Sequence, residues 1–184
     1  MDIRQAGVHE LPQIERLYER AIEAMRGTPY DILWEMGVHP TSERLRAAAE
    51  ARQLLVAIDG GDGSGSPRVL GALILDGNQA AGYRDIPWRV AAASGRVCVV
   101  HLLAVDPDAR RCGVGCALMK AAVQAARSQG AEAIRLDVFD NNRPAYDLYR
   151  ACGFSDLGVY TLDVGNGFTH AANLMELDLR GDAR

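Results

Sequence analysis

The chain has 184 residues, 48% of them apolar and 24% charged, enough material for one globular domain, 1–184, around a buried core. Its 24 acidic residues outnumber its 20 basic ones and Lys and Arg form no run, so the electrostatic footprint of a nucleic-acid binder is missing. No apolar run has the length of a membrane span, no charged-then-apolar leader opens the chain, and the four cysteines contain no C-x-x-C pair. A soluble, cytoplasmic protein without membrane contact, metal or disulfide framework is therefore expected.

In chain order, Asp2 to Ala6 reads as a short strand. Leu11, Ile14, Leu17, Tyr18, Ala21, Ile22 and Met25 then recur at three and four residues, the stripe of an amphipathic helix. Gly27 and Pro29 break it, and a second helix is expected from about Thr41 to Gln53 with Thr41 or Ser42 as N-cap. Between the two helices lie Tyr30, Trp34, Met36 and His39. Leu54–Ile58 and Val69–Leu75 read as strands joined by the Gly/Ser-rich turn Asp59–Pro67. From Asp76 to Arg96 the pattern fades, with Tyr83, Ile86, Pro87 and Trp88 as apolar landmarks. A connection of that length is either functional or a plain insertion. Val97–Val105 is apolar on both faces and so expected to be central. Leu118, Met119, Ala122, Val123 and Ala126 mark a helix ending near Gly130. Ile134, Leu136 and Val138 then alternate with Arg135, Asp137 and Phe139 along a strand. Ala145, Leu148, Tyr149 and Cys152 form a last helical stripe, closed by Gly153. Phe154–Val164 and Ala171–Leu179 pair as a hairpin about the turn 163–167.

The most specific stretch is Arg110-Arg111-Cys112-Gly113-Val114-Gly115, between the apolar strand and its helix. An R-x-x-G-x-G turn at a helix start lets several backbone N–H groups point at one spot, unobstructed at the glycines, which suits a pyrophosphate. No Gly-Lys-Ser/Thr follows and no third glycine completes G-x-G-x-x-G, so a nucleotide triphosphatase is not expected.

Strand, R-x-x-G-x-G, helix, strand, then Asn142-x-x-Ala145-x-x-Leu148-Tyr149-x-x-x-Gly153-Phe154, resembles the Gcn5-related N-acetyltransferase (GNAT) family over about Val97 to Phe154. The resemblance implies an α/β (α+β) fold: a mixed, largely antiparallel sheet of six or seven strands, splayed between two central strands and flanked by about four helices. It implies acetyl-CoA as co-substrate in the splay. Arg110 supplies the leading motif position, and the amides of Arg111, Cys112, Gly113, Val114, Gly115 and Cys116 hold the diphosphate. Leu103, Ala104 and Val105 offer backbone groups to the pantetheine arm and the acetyl carbonyl, and Asn142 and Ala145 complete the cofactor contacts. Arg111 departs from the family, where glycine is common, and so does Cys112, where Lys or Arg is common.

Acetyl transfer to an amine needs a neutral nucleophile, a polarised carbonyl and a proton for the departing thiolate. A lysine-like amine costs about 4 to 5 kcal/mol to deprotonate at pH 7, so a base or a water relay helps. His101, on the Val97–Val105 strand face with Val99 and Leu103, stands where a number of family members carry Glu and is the leading base. Its alternative reading is a satisfied core histidine. Asp137 is a weaker candidate. Tyr149 occupies the position of the family's thiolate-protonating tyrosine, with an ordinary phenol basicity that suits a thiolate, against the alternative of a buried helix tyrosine. Tyr83–Trp88 with Tyr30, Trp34 and Met36 is the expected acceptor pocket, or else an ordinary apolar flap. The acceptor is a small-molecule or protein amine, and the oligomeric state is open, a homodimer included. Two rivals stand beside this reading: a non-catalytic acyl-CoA sensor and a dinucleotide-dependent oxidoreductase.

Overall fold

A computed structural model describes residues 1–60, 67–163 and 169–181. Seven strands form one sheet: β1 (Asp2–Gln5), β2 (Leu54–Asp59), β3 (Arg68–Asp76), β4 (Val97–Val105), β5 (Ala133–Phe139), β6 (Ser155–Asp163) and β7 (Thr169–Asp178). Their order across the sheet is β1-β2-β3-β4-β5-β7-β6, antiparallel at every pair except β4–β5. The α-helices are α1 (Leu11–Glu23), α2 (Ser42–Glu50), α3 (Val114–Ser128) and α4 (Arg143–Ala151). This is the mixed, splayed sheet that the resemblance implied. Most of the turn read between Asp59 and Pro67, and most of the turn at 163–167, lie outside the described residues.

Local chemistry accounts for the helix ends. Thr41 caps α2, its hydroxyl accepting from the Arg44 N–H at 3.1 Å, and satisfies one of the amides a helix start leaves unpaired. The helix ends three residues earlier than its Ala-rich stretch suggests. Arg52 turns left-handed (φ 58°), and the Gln53 N–H returns to Ala48 O at 2.8 Å. On one sheet face, α3 buries Leu118, Met119, Ala122 and Ala126 against Leu73, Ile134 and Leu136, with Tyr149 and Phe154 from the α4 region in the same cluster. On the other face, α1 and α2 bury Ile14, Leu17, Tyr18 and Leu45 against Val56, Ala72 and Ile74. Each fully buried Leu or Ile contributes roughly 1.5–3 kcal/mol, so the two cores grip the sheet from opposite sides.

The long connection after β3 is a strap that joins a third apolar cluster, in which Tyr83 and Ile86 meet Val97, Val99, Leu162 and Leu174. A buried ion pair pins it. Arg135 Nε lies 3.1 Å from Glu176 Oε1, and its other nitrogens donate to Gln79 Oε1 (2.7 Å) and Val90 O (3.0 Å). Glu176 Oε2 accepts the N–H groups of Arg89 and Val90 at 2.8 and 3.0 Å. The guanidinium sits 4.4 Å from the Trp88 ring centroid. Arg135, which alternation alone places on a polar strand face, is thus buried because the strap covers it.

The sheet forks at its centre. β4 and β5 pair at Val97/Ala133, Cys98/Ile134 and Val99/Arg135 and no further. Past the fork β4 is bulged: Ala72 opposes Ala104 but Ile74 opposes His101, and Leu102 takes φ 55°. The Tyr18 hydroxyl, buried under α1, donates to Leu102 O at 2.7 Å and holds the bulge. The bulge corrects one expectation. His101 keeps the face of Val99, but Leu103 and Val105 pack toward the α3 side.

Candidate active site

The β4–α3 turn is built as a backbone cradle. Gly113 is the N-cap of α3 at φ 80°, no side chain caps the helix, and a Cβ added there would meet nothing within 4 Å. The first amide of α3 with an intrahelical partner is that of Ala117, onto Gly113 O at 2.9 Å. The amides of Val114, Gly115 and Cys116 precede it, at the positive end of the helix dipole. Gly115 serves a different end: a Cβ there would come within 2.9 Å of Leu148, so its absence lets α3 close on α4. Arg111, at φ 63°, explains why glycine suits its position, since a side chain in that region costs about 1 kcal/mol. Arg110, Arg111 and Cys112 are exposed around the turn.

Asp106 clamps this turn from behind. Its buried carboxylate accepts from Arg20 (3.2 and 3.3 Å), Arg68 (2.7 Å) and the Asp108 N–H (2.9 Å). Burial alone would raise the Asp106 carboxyl, but the Arg20 hydrogen bond, the Asp108 amide and the two arginine charges outweigh it and hold it below its ordinary value. A cavity of about 470 Å³ between α1 and the start of β3 is lined by these same residues. Arg20 and Arg68 are paired with Asp106 and Asp108, Arg16 also lines the cavity, and among the described residues none of the groups suited to acyl transfer does.

Across the fork, Asn142 Oδ1 caps α4 by accepting from the Ala145 N–H at 3.3 Å. Tyr149, one turn further along, is buried with its ring 6.0 Å from that of Phe154. Burial first, then the charge of Asp137, pushes its phenol well above the ordinary value of 10. The matched basicity expected of Tyr149 and a thiolate therefore does not hold. Tyr149 stays protonated and can act only by donating.

His101 stands on the other lip with a partner that the sequence reading missed. Its Nε2 lies 3.1 Å from Asp76 Oδ1 and 3.1 Å from Asn78 O. Both neighbours are acceptors, so Nε2 carries the hydrogen, and in the neutral ring Nδ1 keeps the lone pair. Asp76 also accepts from Asn78 N and Nδ2 and from Arg44 Nη2. Burial pushes its carboxyl up, yet the His101 and Asn78 hydrogen bonds and the Arg44 charge prevail and bring it to about 2. A carboxyl lowered on folding contributes stability above its unfolded value near 4, which is lost as pH falls through the folded value. The stability gap between wild-type and Asp76→Asn protein in urea unfolding is thus expected to shrink by on the order of 2 kcal/mol between pH 5 and 2.

Asp137 lies two residues past the last β4–β5 pair. Its Oδ1 accepts from the Tyr83 hydroxyl at 2.6 Å, and its Oδ2 is 3.8 Å from His170 Nε2, too far for a hydrogen bond. Burial would raise this carboxyl, but His170, Tyr83 and His101 together keep it low and ionised. The strap thus brings Tyr83, of the expected acceptor pocket, to the fork, where Trp88 supports it by donating to Tyr83 O at 2.8 Å. Trp34 and Met36 pack on the α1-side core, while Tyr30 is exposed. Asp76, Tyr83's bond to Asp137 and His170 join the site only through sheet register. One signal for them was visible: Asp76 ends the apolar run Val69–Leu75 with a carboxylate.

A glycine turn at an uncapped helix start, set at the mouth of a forked mixed sheet, is the architecture that the sequence resemblance implied. The model of the Acetyltransferase (GNAT) family matches residues 19–154. An L-methionine sulfoximine/L-methionine sulfone acetyltransferase of Pseudomonas paraeruginosa is 30% identical over 180 residues, 98% of this chain and 94% of that protein. The chain spans between 21% and 45% of the length of other curated relatives it matches. Among solved structures, a Staphylococcus aureus Mu50 acetyltransferase aligns with TM-score 0.70 at 23% identity, over 98% of this chain and all of the other. The Salmonella typhimurium acetyltransferase yncA, solved with acetyl-CoA, aligns with TM-score 0.66 at 20% identity, over 100% of this chain and 96% of that one. The chain belongs to the GNAT acetyltransferase family.

Proposed function

We propose that the protein transfers the acetyl group of acetyl-CoA to a primary amine by direct attack at the fork. The observation that carries this reading is the pairing of an uncapped glycine cradle on one side with an oriented imidazole, His101 on Asp76, on the other. The cradle fits a diphosphate: three amides, a left-handed glycine and open space where a Cβ would stand. The yncA complex supports the choice of coenzyme, and the Pseudomonas relative supports a small-molecule amine as acceptor.

In this reading the amides from Arg111 to Cys116 bind the diphosphate, with Arg110 at the rim and Asn142 and Ala145 at the start of α4 alongside. Past the fork the edge of β4, Leu103 to Val105, pairs with the pantetheine arm, and a backbone N–H of the bulged segment polarises the acetyl carbonyl. Acetyl-CoA supplies the activated thioester. The acceptor ammonium loses one proton to His101 Nδ1, directly or through a water, while Asp76 holds the opposite ring nitrogen. The amine nitrogen bonds the acetyl carbon, the carbon–sulfur bond breaks, and the sulfur leaves as a thiolate held by the hydrogen bond of the Tyr149 hydroxyl, while the nitrogen gives up its second proton, which reaches the sulfur through that hydroxyl or a water and leaves a neutral amide and a free thiol.

Because Tyr149 acts on the leaving group alone, Tyr149→Phe is expected to lower kcat by about 10² with the acetyl-CoA KM changed less than twofold, in steady-state kinetics. An acyl-CoA sensor has no use for an imidazole with one nitrogen pinned and the other free, and a largely antiparallel sheet does not suit the dinucleotide fold. The reading is tested by thiol release from acetyl-CoA across a broad amine panel. Amine-dependent release is expected, and binding without release under every condition would overturn it.

A further inference from the structure

Past the fork, β4 has one open side. β5 pairs with β4 only as far as Val99, so beyond that point no neighbouring strand among the described residues takes the N–H groups that β4 turns toward the gap. Register says which groups these are. The Asp106 N–H donates to Leu70 O at 2.8 Å and Ala104 opposes Ala72 two residues earlier, so Asp106 and Ala104 both face β3. Leu103 and Val105 alternate with them and face the gap.

The Leu103 amide is aimed by its neighbour. Leu102, buried in the bulge, is left-handed at φ 55°, and its carbonyl accepts from the Tyr18 hydroxyl at 2.7 Å. The Leu102–Leu103 peptide is trans, and a trans peptide sets its carbonyl oxygen and its amide hydrogen on opposite sides. The bond that draws Leu102 O toward α1 therefore turns the Leu103 N–H away from α1 and into the fork. Two penalties meet at Leu102, since a leucine resists left-handed backbone and a buried carbonyl resists being left without a donor. The Tyr18 hydroxyl offsets both. The Tyr18 ring belongs to the apolar cluster of Ile14, Leu17, Leu45 and Ile74, and burial pushes its phenol far above the ordinary value, so the hydroxyl keeps its proton and donates. His101, before Leu102 in the chain, is anchored separately by Asp76 and Asn78 O.

We propose that Tyr18, from the buried face of α1, is a positioning residue for acetyl transfer: by holding Leu102 O it aims the Leu103 N–H at the acetyl carbonyl oxygen. This rests on the acetyl transfer proposed above and names the amide that polarises the carbonyl. Tyr18 touches neither the coenzyme nor the acceptor. It acts through the bulge alone.

The test compares wild type, Tyr18→Phe, Leu102→Val and the double variant, by steady-state kinetics with the best amine of the panel above and by isotope-edited infrared spectra of bound acetyl-CoA. In wild type the carbonyl stretch of the bound thioester is expected below its frequency in water, and in Tyr18→Phe it should move back toward that frequency. Tyr18→Phe should lower kcat about tenfold or more, with both KM values within about twofold and the acidic limb of the pH–rate profile unmoved, because His101 keeps its own anchors. Leu102→Val keeps the hydroxyl but brings a β-branched side chain that left-handed backbone rejects, so it reaches the same amide from the other end and should lose kcat similarly. The double variant should fall no more than about threefold below the worse single one, since both changes act on one bulge. Loosened packing would leave the carbonyl stretch where the wild type has it. A wild-type kcat or a wild-type stretch in Tyr18→Phe, or in Leu102→Val should Tyr18→Phe not fold, would overturn the proposal and leave acetyl transfer standing. Thiol release by the wild type with no amine, acetyl-CoA still bound, would overturn both.

Discussion

Gly113→Asp is expected to weaken acetyl-CoA binding by at least two orders of magnitude in calorimetric titration, while the protein still unfolds cooperatively near its wild-type temperature. The fold tolerates the change because a Cβ at this position meets nothing within 4 Å. Aspartate accepts left-handed backbone at a cost of about 1 kcal/mol and is itself a favourable N-cap, which offsets that cost. Those same features defeat the coenzyme. The new carboxylate takes the amides of Gly115 and Cys116 and sets a negative charge where the diphosphate must lie. Two orders of magnitude correspond to about 2.7 kcal/mol, within reach of one lost charge-assisted cap and one new repulsion. Gly113→Ala, which adds neither charge nor acceptor, separates the two effects and should retain most of the affinity.

The second large effect falls on turnover. His101→Ala is expected to lower kcat/KM for the acceptor by about 10² to 10⁴ and to flatten the acidic limb of the pH–rate profile, with acetyl-CoA affinity unchanged. The limb exists because an imidazole that already holds a proton on Nδ1 cannot receive the one leaving the ammonium. Asp76→Asn should behave differently. An amide can still accept from Nε2, so the ring keeps its tautomer, but the charge that stabilises the imidazolium is gone, and a drop of about tenfold is expected. A His101→Ala profile that keeps the wild-type limb would place the proton elsewhere.

The local parts of this site were legible in the sequence. R-x-x-G-x-G between an apolar strand and a helical stripe marked the cradle, and apolar runs together with the two-residue and three-to-four-residue periods placed the seven strands and four α-helices in order. What alternation could not show was where each strand's second face would lie. Arg135 and Asp137 read as the polar side of β5, yet the strap covers that side, so one becomes a buried anchor and the other a recessed carboxylate. The bulge at Leu102 was equally hidden, because an extra residue in one strand appears only in the register with its neighbour. Without the bulge His101 and Leu103 share a face, as two-residue alternation requires, and with it they part. Asp76 and His101, 25 residues apart, meet because β3 and β4 pair antiparallel, a tertiary fact that no local pattern carries.

The central claim is that the fork between β4 and β5 grips acetyl-CoA with its thioester beside His101. A crystal structure of the complex tests it most directly. The claim predicts the diphosphate on the amides of residues 111–116, the pantetheine arm along Leu103–Val105, and the sulfur within hydrogen-bonding reach of the Tyr149 hydroxyl. Coenzyme density anywhere other than the fork, with the cradle amides facing only solvent, would contradict it.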